Sequence, residues 1–151
     1  MPLLAIVTGT LVGGQLVDKI YQRTRSRHAS RQGVACVSLV MCALFILAAF
    51  FVSDAPAAVA LVTAGSFFAG TAGPCGYTIA IDMGGRHGAP LFSTMNMGGN
   101  FGAVAFIAGT PYVEQSSGWS GVMTMCCALF LMAAVCWWRL NSSGTVFELS
   151  L

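Results

Sequence analysis

Long apolar runs separated by short polar gaps dominate this chain. No Asp, Glu, Lys or Arg falls within residues 32–53, 55–81, 87–113 or 115–138. Each run exceeds the roughly 20 residues that a helix needs to cross a hydrocarbon core about 30 Å thick. A shorter apolar stretch, 2–17, opens the chain. It carries Gly9, Gly13, Gly14 and Gln15, and no Lys or Arg precedes it, so it lacks the form of a cleaved signal peptide. It reads as the latter part of a spanning helix. The pattern predicts an all-α, polytopic transmembrane bundle over 1–151, with spans at about 2–17, 33–53, 57–81, 89–112 and 118–138.

Composition agrees with the pattern. The 151 residues are 56% hydrophobic and 8% charged, with a mean hydropathy of +0.78. A water-soluble domain carries about 25% charged residues, and a chain this short has no outer layer with which to cover four apolar helices. The cysteines at 36, 42, 75, 126, 127 and 136 all lie in apolar runs without CxxC or Cys/His ligand spacing, and read as small packing residues. No metal or cofactor is expected. No span or loop combines a nucleophile with a base, so an enzyme is not expected either.

The charges in the gaps give a direction. Lys19, Arg23, Arg25, Arg27 and Arg31 fill the first gap, Arg86 the third, and Arg139 begins the tail, whereas the gaps at Asp54–Pro56 and Glu114–Ser117 hold no base. By the positive-inside rule, loops 18–32 and 82–88 and the carboxyl tail are cytoplasmic in a multi-pass protein of the cell membrane. The basic loop also attracts anionic membrane lipid, an explanation that removes any need for a nucleic-acid partner. Pro56 and Pro90 stand near expected helix starts, and Trp119, Trp137 and Trp138 at the ends of the last span.

Some residues exceed what spanning requires. Glycines cluster at 65, 70, 73 and 76 and again at 98, 99, 102 and 109, and Gly9 with Gly13 makes a GxxxG, the pattern that lets helix backbones approach. Asn96 and Asn100 share one helical face, where an amide must meet another helix or a polar cavity. Tyr77 and Thr8 are weaker pathway candidates, because a hydroxyl can bond within its own helix. Pro74 is expected to kink or break the third span near 71–76. Gly13 to Lys19 is expected to end the first helix with Asp18 at the membrane surface, able to hold a helix amino terminus or an arginine. Asp82 to Gly88 reads as a second tight turn, with His87 as a solvated surface residue.

Gly14-Gln15-Leu16-Val17-Asp18-Lys19 resembles the loop motif G-x-L-x-D-[RK] of the major facilitator superfamily, with Tyr21 and Gln22 where the motif has a glycine. Asp82 to Ala89, continuing to Met95-Asn96-Met97-Gly98-Gly99-Asn100, is similar to the turn-and-helix pattern of its anion:cation symporter branch. The resemblance implies that the spans correspond to helices eight to twelve of a twelve-helix transporter working by alternating access. It also implies an organic-anion cargo, such as a sugar acid or carboxylate, moved with a proton or sodium ion. Asp18, Lys19, Arg23, Asp82 and Arg86 would then form the gating turns, and Asn96, Asn100, Tyr77 and Thr8 the pathway, completed by an amino-terminal half as partner. The alternative is a non-transporting protein whose glycine and amide faces pack against another membrane protein.

Overall fold

The computed structural model describes residues 1–140, and these are helical almost throughout. Helix α1 spans Pro2–Thr24 and α2 spans Val34–Phe50, preceded by a π-helical segment, His28–Gly33; α3 spans Ala55–Gly84 and α4 spans Gly88–Arg139. Three continuous helical stretches, Pro2–Thr24, His28–Phe50 and Ala55–Arg139, are long and apolar enough to cross a membrane. The last of these has 85 residues, far beyond one crossing, and it turns at Gly85 and Gly118.

Both turns depend on glycine. Gly85 has φ 48° and ψ −120°, and Gly118 has φ 65° and ψ −169°, regions closed to most side chains. Gly118 divides α4 into arms at 88–117 and 119–139. The expected connection at Glu114–Ser117 is therefore corrected: those residues are helical, and the break is confined to the residue that tolerates it.

The first helix also differs from expectation. It does not end within Gly13 to Lys19 but runs to Thr24, because Val17 and Ile20 pack into a core with Val34, Ala35 and Cys75 and hold the next turns in register. It stops at Arg25, which takes a left-handed conformation with φ 53° and donates its N–H to the Tyr21 carbonyl at 2.8 Å. The expected loop 18–32 thus contracts to a sharp corner around Arg25 and Ser26. At the start of α3 the expectation holds: the Asp54 carboxylate accepts the Ala57 N–H at 3.2 Å, and Pro56 sits in the first turn. The carboxyl tail beyond Leu140 lies outside the described residues.

Helix α3 lies at the centre, against α1, α2 and α4. Its contact with α1 is a seam of backbone on backbone. A Cβ added at Gly9 would stand 2.1 Å from the Phe67 carbonyl oxygen, one at Gly13 2.4 Å from that of Thr71, and one at Gly70 2.3 Å from that of Ile6. Pro74 does not break α3. It removes the amide that would serve the Gly70 carbonyl, and the Thr10 hydroxyl of α1 approaches that oxygen instead, at 3.3 Å.

Between α2 and α3, Phe45 stacks on Phe68 with centroids 5.4 Å apart. Between α2 and the second arm of α4, the Cys36 thiol donates to the Ala134 carbonyl at 2.8 Å and Cys127 to that of Ala43 at 3.5 Å, while Leu39, Ala72 and Ala134 form a small core. Trp137, half-buried near the end of α4, packs against this core, whereas Trp119 and Trp138 are exposed. Many large apolar side chains face outward, Leu3, Leu11, Phe101, Ile107 and Met132 among them. That surface is costly against water and ordinary against hydrocarbon.

Candidate functional site

Two groups of residues carry the chemistry. The first lies where the π-helical segment passes the carboxyl end of α3. There Arg31 and Asp82 form an ion pair, with side chains 13% and 18% exposed, so both charges are largely withdrawn from water. The guanidinium carbon also lies 5.6 Å from the centre of the Tyr21 ring.

The expected gating residues separate on this evidence. Asp82 pairs with Arg31, whereas Asp18, Lys19, Arg23 and Arg86 are exposed. Arg31 and Tyr21 complete the cluster, and sequence reasoning gave neither this role. The available signal was position, since Arg31 is the last base before an apolar run, where a paired charge is most needed.

The second group lies on the first arm of α4. Asn96, Asn100 and Ser93 line an open groove of about 380 Å³ with Phe92, Met97 and Phe101. Both amides are exposed, and neither meets a hydrogen-bond partner among the described residues. The glycines beside them, Gly98, Gly99 and Gly102, likewise have no atom within 4 Å of an added Cβ. Gly9 and Gly13 of α1 are thus consumed by packing inside the chain, while the glycines beside the asparagines remain open.

Phe92 joins this groove to a second one, of about 430 Å³, lined by Tyr77, Ile81, Gly85, Arg86 and Ala89. The Tyr77 ring lies against Phe92 at 5.0 Å between centroids. The structure therefore brings Asn96, Asn100, Tyr77 and Arg86 onto one continuous surface. Thr8 stands apart on α1, its hydroxyl bonded to the Leu4 and Ala5 carbonyls at 3.0 Å each. Amides donate and accept, so the Asn96–Asn100 face can hold an oxyanion by hydrogen bonds, while the phenol of Tyr77 and the fixed charge of Arg86 line the adjoining groove. Among the described residues no group of three or more His, Cys, Asp or Glu could hold a metal ion.

No family model matches the sequence, and no solved structure matches the chain. Over 108 residues, 72% of the chain, it is 32% identical to a probable sulfoacetate transporter of Cupriavidus necator, and it spans about 25% of that relative's length.

Proposed function

We propose that the chain is part of a secondary active transporter of the major facilitator superfamily, an ion-coupled symporter for a small organic anion. The observation that carries this reading is the similarity to a probable sulfoacetate transporter, whose named cargo bears a carboxylate and a sulfonate. The Asn96–Asn100 face supplies neutral hydrogen-bonding groups for such oxygens, and Arg86 supplies positive charge at the adjoining groove. The ion pair of Arg31 with Asp82 ties the end of α3 to the start of α2, an arrangement that a change between inward and outward states has to break or carry along.

The same surface argues that the chain acts within a larger bundle. The amides and glycines of the first arm of α4 await another wall, and alternating access needs two groups of helices around one site. The chain alone is then inactive, and transport belongs to the chain joined to the remaining helices. The test is uptake of radiolabelled sulfoacetate, sugar acids and simple carboxylates into liposomes holding the joined protein, under a proton or a sodium gradient. Saturable, gradient-driven uptake of at least one organic anion is expected. Absence of uptake across the panel by stably folded protein overturns the reading.

A further inference from the structure

A different surface lies between α1 and α2. Helices α1 and α2 both pack on α3 but scarcely touch each other. The gap between them is an open groove of about 480 Å³, lined by Val12, Leu16, Ile20, Ala29, Gly33 and Phe67 among others. That volume lies within the roughly 300–1,000 Å³ of small-molecule sites. From Val12 to Ile20 the groove runs about 12 Å along α1, at about 1.5 Å per residue. Its lining is almost wholly apolar, and the Thr71 hydroxyl within it is already bonded to the Phe67 carbonyl at 2.9 Å.

The groove ends at a positive corner. Ile20 and Ala29 flank the segment that carries Arg23, Arg25 and Arg27, all exposed, with Lys19 one residue before Ile20. Unlike Arg31, which is held by Asp82, these bases have no carboxylate partner among the described residues. We infer that the groove between α1 and α2 is a binding site for one anionic phospholipid, with an acyl chain along Leu16 and Gly33 and the phosphate at Arg23, Arg25 and Arg27. An apolar slot ending in unpaired cations matches the two ends of such a lipid. It does not match a soluble anion, for which the slot offers nothing, or an apolar helix, for which the cations offer nothing. The three bases together are expected to set a preference of at least tenfold over a zwitterionic lipid.

The test titrates the purified, delipidated protein, in which the chain is joined to the remaining helices, with phosphatidylglycerol or phosphatidylcholine and reads bound lipid by native mass spectrometry. Wild type is expected to hold phosphatidylglycerol at least tenfold more tightly. Arg23→Gln, Arg25→Gln and Arg27→Gln combined remove that preference. Gly33→Leu, whose first added atom has nothing closer than 3.9 Å, fills the slot and weakens both lipids several-fold. If Gly33→Leu loses helicity, Val37→Phe, at an exposed lining position, makes the same test. Equal affinity for the two lipids, binding indifferent to a filled slot, or displacement by inorganic phosphate overturns the assignment.

Discussion

The Thr10 hydroxyl lies 3.3 Å from the Gly70 carbonyl, the oxygen that Pro74 deprives of its helical amide. One residue of α1 thus answers a defect that proline creates in α3. The hydroxyl is shared with the Ile6 carbonyl of its own helix at 2.9 Å, so the cross-helix contact is a secondary branch of a bifurcated bond. Inter-helix hydrogen bonds in membranes average about 0.6 kcal/mol. Thr10→Val is expected to cost about that much, and less in a Pro74→Ala background, where the amide returns. A double-mutant cycle in detergent with no coupling between the two positions contradicts the pairing.

The same seam gives a sharper contrast. Gly9→Ala and Gly13→Ala each drive a methyl group into a backbone carbonyl of α3, and overpacking of this kind costs about 1–3 kcal/mol. Gly14→Ala, on open surface, is expected to be neutral or slightly stabilising, since alanine favours helix by about 1 kcal/mol over glycine. Thermal unfolding of the three variants, followed by circular dichroism, checks the order; equal behaviour at Gly13 and Gly14 contradicts the seam.

Arg31 and Asp82 are expected to behave as a unit. Arg31→Gln or Asp82→Asn alone leaves a largely buried group without its counter-charge and is expected to cost about 1–3 kcal/mol, below the range for fully buried pairs because some solvent reaches both. The double variant costs less than the sum. Arg86→Gln, at an exposed position, changes stability by no more than about 0.5 kcal/mol. A strictly additive double variant contradicts the coupling.

The helices were legible because the bilayer criterion needs only length and apolarity, which the runs from 32 to 138 state openly. The glycine pattern at Gly9 and Gly13 announced close packing, but not that Phe67 and Thr71 receive it, since partner choice depends on three-dimensional register. Asp82 reads in the sequence as a turn acid but lies in the last turn of α3, and its partner Arg31 is hidden among bases that also satisfy topology. Glu114 to Ser117 read as a loop by polarity, yet backbone conformation, not polarity, placed the break at Gly118. The face of Asn96 and Asn100 was legible from spacing alone, and its openness along α4 was not.

Whether that face borders a water-filled substrate path is measured most directly by labelling Asn100→Cys in the joined, membrane-embedded protein with a membrane-impermeant thiosulfonate. Peptide mapping separates this thiol from the native free cysteines at 36, 42, 75, 126, 127 and 136. Ready labelling that slows when sulfoacetate or another transported anion is present is expected. A thiol that stays unlabelled, or that reacts at the same rate with every transported anion, contradicts a pathway role for this face.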